Sequence, residues 1–143
     1  MGAALLQSEN QETVNNSKPF KLSSIEKDDI IEIAFGNIRI KAIIEYLTDY
    51  SFILGKCHNT IIPKSSLEQH HLQDVIERGT LILDVPGTKA KVAFDARFDA
   101  TTNTISVLNC TFGNIPINTY KTTITYVYKH KTKEFIYNKA FYT

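Results

Sequence analysis

Ile30-Ile-Glu-Ile-Ala-Phe-Gly36-Asn37-Ile-Arg-Ile-Lys-Ala-Ile-Ile-Glu45 is the stretch whose reading decides the fold class. Ile31, Ile33 and Phe35 stand against Ile30, Glu32 and Ala34; beyond Gly36-Asn37, Ile38, Ile40 and Ala42 stand against Arg39 and Lys41. Side chains of a strand alternate between its two faces, so a period of two with one apolar face reads as half-buried strands. Gly-Asn between two such runs is a two-residue hairpin turn, where glycine supplies the positive φ that the turn requires.

Outward from this hairpin the pattern repeats. Tyr50-Ser-Phe-Ile-Leu54 is a third apolar run and is expected to stop at Gly55. Thr80 to Val85, Ala90 to Phe98 and Thr104 to Phe112 follow, separated by Pro86-Gly87 and Thr101-Thr-Asn103. About six short strands with turn signals between them predict a mainly β fold, a small antiparallel β-barrel. A short internal helix, or a structured loop, is signalled by Ser65-Ser-Leu-Glu68, which fits a capping box. Leu72, Val75 and Ile76 supply its apolar stripe and Gly79 its stop.

The two ends read differently. Residues 1–17 are rich in Gln, Asn, Ser and Glu without a period, and are expected to be a flexible lead-in. The barrel is expected over 18–115 and a C-terminal helix or tail over 116–143. In that tail Ile117, Tyr120, Ile124, Val127 and Tyr128 lie at helical spacing, whereas Thr122-Thr-Ile-Thr125 is β-branched and lowers helix propensity. The reading adopted is a helix behind Pro116, with Asn118 as N-cap, packed on the barrel; strand is the alternative over 117–137.

At 143 residues with a formal charge of +1, the chain suits one domain, and its net charge selects no partner. No apolar run approaches the roughly 20 residues of a membrane-spanning helix, so no membrane insertion is expected. Met1 to Leu6 is too short for a signal-peptide core, and Leu6 stands where a myristoylation motif wants Ser or Thr. Cys57 and Cys110 lack CxxC spacing and read as reduced thiols, which places the protein in the cytoplasm.

Catalysis and metal binding are not expected, and no cofactor is. The chain has no Gly-rich phosphate loop, no GxSxG elbow and no HExxH. Asp28-Asp29 supplies carboxylates without a converging partner, and Asp95, Arg97 and Asp99 read as a solvated strand face with an ion pair. Cys57-His58 and His70-His71 lack the ligand spacing of a zinc site. In the tail, Lys121, Lys129, Lys131, Lys133 and Lys139 face the single acid Glu134, interleaved with Tyr120, Tyr126, Tyr128, Tyr137 and Phe141. Basic residues among stacking aromatics are what single-stranded nucleic-acid binders use. The reading preferred here has the tyrosines packing on the barrel or a second subunit and the lysines in water, with nucleic acid not the expected partner. The sequence leaves the oligomeric state open.

The order of these runs resembles the PilZ domain, a small bacterial barrel that commonly serves as a receptor for cyclic di-GMP. Arg78-Gly79-Thr80 with Leu81 to Val85 looks like the family's glycine–strand–turn–strand section, and Asn109-Cys-Thr-Phe112 like the strand ending in a buried aromatic. The family's (D/N)xSxxG signature between the second and third strands is met by Asp49-Tyr-Ser51 through Gly55 with one extra residue; an ungapped reading puts Glu45, Leu47 and Tyr50 there instead. The spaced arginines ahead of the first strand are replaced by Lys18 and Lys21, two residues apart rather than three. Lysine offers phosphate a point charge in place of a bidentate fork. The resemblance implies a non-catalytic regulatory module in cyclic di-GMP signalling (motility, pili or surface-associated behaviour), with Lys18 and Lys21 toward phosphates and Asp49 or Ser51 toward guanine. The alternatives are a degenerate PilZ-like adaptor that binds a protein partner without cyclic di-GMP, and a nucleic-acid-binding barrel that uses the Tyr/Lys tail.

Overall fold

The computed structural model describes residues 20–141. The deciding stretch forms an antiparallel hairpin, β1 (Ile30–Phe35) and β2 (Ile38–Leu47), with Ile33 opposite Ile40 and Phe35 opposite Ile38. Gly36 takes φ 64° and Asn37 stays at negative φ, which is the pattern of a turn with glycine in its first central position. β3 (Ser51–Pro63) does not stop at Gly55; it runs 13 residues through it. A side chain at Gly55 would stand 2.7 Å from Glu45 Cγ. The glycine therefore serves close packing between neighbouring strands, and no turn.

A 3-10 turn (Lys64–Ser66) leads toward α1 (Gln69–Arg78). The expected capping box does not form. Ser65 lies in the preceding turn, and Glu68 is the N-cap without a side-chain bond to the helix. Gly79 does end the helix, at φ 68°, its N–H donating to Val75 O at 2.9 Å. β4 (Thr80–Asp84), β5 (Lys91–Asp99), β6 (Thr104–Phe112) and the two-residue β7 (Ile115–Pro116) follow.

In place of the C-terminal helix expected within 116–143, the chain forms a hairpin, the strand alternative for 117–137. After a 3-10 turn (Ile117–Thr119) and the four-residue α2 (Tyr120–Thr123) come β8 (Ile124–Lys129) and β9 (Glu134–Tyr137). A β-bulge explains the misreading. β8 pairs with β1 as Ile33↔Ile124 and Glu32↔Tyr126, so Thr125 is an extra residue in the ladder. The bulge puts the inward side chains Ile124 and Val127 three apart, which in sequence imitates a helical stripe. Thr125 is held there by hydrogen bonds from its hydroxyl to the Glu32 carbonyl (3.3 Å) and carboxylate (2.6 Å).

The nine strands of the described residues belong to one antiparallel sheet in the order β4-β5-β6-β3-β2-β1-β8-β9, with β7 paired to β3. The sheet is open: β4 and β9 end the path and do not pair. β3 serves both halves, with β2 along its first part and β6 along its second. The sheet curls over one core, because Phe35 of β1 meets Phe94 of β5 edge-on at 6.1 Å although three strands separate them in the path. Ile31, Ile33, Ile40, Ile44, Phe52, Leu81 and Phe94 are fully buried there, and α1 adds Leu72 and Val75. Among the described residues no helix is long and apolar enough to cross a membrane.

Candidate functional site

Of the residues singled out by the PilZ resemblance, Lys21, Asp49 and Ser51 are among those described. Asp49 is exposed in the β2–β3 turn and Ser51 begins β3. Thr48 builds that turn: its hydroxyl accepts from the N–H of Tyr50 (3.1 Å) and Ser51 (2.9 Å), and its own N–H donates to Ser51 O (2.9 Å). Lys21 is exposed at the head of a 3-10 turn (Leu22–Ser24). Lys18 lies outside the described residues. Two contacts bring the segments together on the stretch after β7: Phe20 stacks on Tyr120 at 5.9 Å, and Ile117 N–H donates to Tyr50 O at 2.7 Å. No hydrogen bond or ion pair joins Lys21 to Asp49 or Ser51 among the described residues.

A second surface is built by the terminal hairpin. Tyr126 faces Tyr137 across β8–β9, and Tyr128 faces Phe135, while Val127 and Ile136 between them are buried. Alternation therefore sends all four rings to the outer face. Phe135 touches each of the others, at 4.9 Å to Tyr128, 5.2 Å to Tyr126 and 5.8 Å to Tyr137. Beside them is a cavity of about 310 Å³ lined by Ile30, Lys41, His58, Asn59, Tyr126, Tyr128 and Phe135. The polar side of the groove comes from a second irregularity, in β3. Its register against β6 shifts between Lys56 and Thr60, and Asn59 takes φ 44°. Thr60 repairs the broken ladder, its hydroxyl accepting from Lys41 N–H at 3.2 Å. That bond fixes Lys41 beside the rings and leaves His58 and Asn59 on the rim.

The hairpin is fastened by a buried polar cluster. Asp29 is fully buried and meets Lys129 Nζ at 2.5 Å; its other oxygen accepts from His130 N–H at 3.1 Å and lies 3.1 Å from the His130 ring. Glu26 N–H donates to Asp29 at 2.8 Å, and Lys129 also reaches Glu26 (3.1 Å) and the Ser24 carbonyl. Burial pushes the Asp29 carboxyl up, but the hydrogen bonds from Lys129, His130 and the backbone outweigh it and hold it below the ordinary carboxylate value. Lys129 is thus a structural cation, unavailable to a ligand, unlike the exposed Lys131, Lys133 and Lys139.

Elsewhere the chemistry is sparse. Among the described residues no three His, Cys, Asp or Glu side chains converge as metal ligands. The His70 and His71 rings lie 4.1 Å apart and tilted by 42°, and burial followed by the neighbouring His70 lowers the pKa of His71. Burial, then the nearby Cys110, pushes the Cys57 thiol up to about 12. Asp95, Arg97 and Asp99 are exposed on β5, and no ion pair joins them. Asp95 and Arg97 border a hollow of about 540 Å³ beside α1.

Sequence reasoning located the aromatic residues but not their partners. Lys41, His58 and Asn59 lie roughly 70 to 90 positions from Tyr128, and nothing local marks them as its neighbours. Comparison with known proteins finds no match: no family model, no curated protein and no solved structure resembles the chain closely enough to count.

Proposed function

We propose that the protein is a non-catalytic regulatory binding module, a PilZ-like curled sheet that senses cyclic di-GMP at the end bearing Lys21, Asp49 and Ser51, with Lys18 just ahead. The observation that carries this reading is the position of Asp49 and Ser51 in the β2–β3 connection, with the chain leading into β1 resting on the same 117–120 segment. A receptor of this kind needs cations from the lead-in to meet phosphates while the turn supplies acceptors and donors for the base edge. Ser51 commits its backbone N–H and carbonyl to the turn, which leaves the Asp49 carboxylate and the Ser51 hydroxyl for a ligand.

Calorimetric titration of the full chain with cyclic di-GMP tests it. Saturable binding that Lys21→Ala, Lys18→Ala or Asp49→Ala abolishes, with the melting temperature unchanged, supports the receptor role. Absence of heat and of any thermal shift removes the nucleotide, and leaves a PilZ-like adaptor that works through a protein partner.

A further inference from the structure

We propose that the free edge of β5 at Arg97, Phe98 and Asp99 is a self-complementary surface on which a second copy of this chain pairs, strand against strand. The surface does not use Lys21, Asp49 or Ser51, so it stands or falls independently of the cyclic di-GMP reading.

β5 is longer than the strand beside it. β4 begins at Thr80, opposite Asp95, and beyond that point only Gly79 reaches β5, its carbonyl accepting from Ala96 N–H at 2.9 Å. Backbone groups of a strand point to alternate sides, so the N–H and C=O of Phe98 point the same way as those of Ala96. Among the described residues they find no backbone partner there. The hollow of about 540 Å³ is lined by Gly79, Ala96, Arg97 and Phe98 together with Val75 and Ile76 of α1, so it lies along this edge. Ile76 is 57% exposed, although Leu72 and Val75 of the same helix are buried. Unpaired edge groups beside apolar surface are what an added strand covers.

The charges decide which strand that is. Arg97 and Asp99 are exposed on the outer face of β5, on either side of Phe98, and neither enters an ion pair among the described residues. The Asp99 carboxylate accepts from the Thr101 N–H at 2.9 Å, which holds it in place. An antiparallel pair centred on Phe98 sets Arg97 of each copy opposite Asp99 of the other. Side chains directly opposite share a face, so the pairing carries two opposite-charge contacts. The two Phe98 residues exchange N–H···O=C bonds, and their rings meet at the hollow beside Val75 and Ile76. Asp95 falls opposite Thr101, so no like charges meet. Charge on a sheet edge ordinarily discourages pairing. Here the strand that answers Arg-Phe-Asp in antiparallel order is basic, apolar, acidic, which is the same sequence again. That identity assigns the partner as a second copy rather than a foreign peptide. The two-fold axis through Phe98 makes the contact isologous, so it closes at a dimer and does not propagate into a fibre.

Sedimentation velocity of the full chain, from low micromolar to about 1 mM so that a small and transient interface is reached, tests the proposal. The wild type is expected to pass from monomer to dimer as concentration rises. Arg97→Asp sets two carboxylates against each other at both ends of the pair, and is expected to weaken the dimer about tenfold or more. Asp99→Arg should do the same with the opposite sign. An equimolar mixture of the two variants should regain the dimer, because the acidic strand of one then meets the basic strand of the other. The double variant, in which the two charges trade places, should dimerise like wild type. Thermal melts check that each variant folds; should Asp99→Arg, which also loses the Thr101 bond, fail to fold, Arg97→Asp alone decides. A wild type that stays monomeric across the range, a folded Arg97→Asp variant that dimerises like wild type, or folded single variants whose mixture stays monomeric would each overturn the assignment.

Discussion

Replacing Lys129 by methionine should cost far more than its place in a lysine-rich tail implies. The substitution keeps most of the apolar stem and removes the ammonium that meets Asp29 at 2.5 Å. Asp29 is fully buried and the Lys129 side chain is 11% exposed, so water cannot replace the lost partner. Breaking a buried pair from one side typically costs about 3–5 kcal/mol, because a charge is left buried without compensation. Here the N–H groups of Glu26 and His130 and the His130 ring still face the carboxylate, which puts the expected loss near the lower end, about 3 kcal/mol. At a urea slope of about 2 kcal/mol/M, that loss lowers the midpoint by about 1.5 M. The double variant Asp29→Asn with Lys129→Met should be less unstable than the sum of the two singles, since no buried charge remains. Urea denaturation followed by circular dichroism at pH 7 measures all three. A Lys129→Met loss below about 1 kcal/mol, or strict additivity in the double variant, would refute the account of the cluster as a buried latch.

The same carboxyl predicts an acid limb. The folded-state pKa of Asp29 lies below its unfolded value near 3.8, so its stabilisation is fully present above about pH 4 and is lost as pH falls through the folded value. Asp29→Asn should flatten that part of the stability–pH curve. Phe94→Ala should destabilise by about 3–5 kcal/mol through a cavity where the curled sheet brings it against Phe35, read by thermal or urea denaturation. Gly113→Ala combines φ 85° with a Cβ placed 2.3 Å from the Lys91 carbonyl, and should cost more than Gly36→Ala, whose Cβ meets nothing; parallel melts compare them. With its pKa pushed up to about 12 by burial and by Cys110, Cys57 should resist thiol-specific labelling at pH 8 in the native protein and react once urea unfolds it.

Much of the sheet was legible in local pattern. Alternation around Gly36-Asn37 identified β1 and β2, and Pro86-Gly87 and Thr101 to Asn103 separated β4, β5 and β6, because a period of two and a turn residue are properties of neighbouring positions. Gly79 ended α1 for the same reason. The misreadings share a cause in contacts between distant residues. Gly55 looked like a stop until Glu45 was seen to occupy the space that its missing side chain leaves. Ser65-Ser-Leu-Glu68 had the letters of a capping box, but the chain turns once before the helix begins.

By itself the sequence determined that this is a mainly β chain with aromatic residues concentrated near its end, since composition and alternation are carried by each segment alone. Only the tertiary structure decided what the end does. One bulged residue, Thr125, made a strand imitate a helix, and pairing with β1 was the interaction that selected the strand. That pairing turned Lys129 inward to Asp29 and sent Tyr128 and Phe135 outward beside Lys41. Which lysine is a structural cation and which stays at the surface is therefore a matter of register, and register is set across strands about a hundred residues apart.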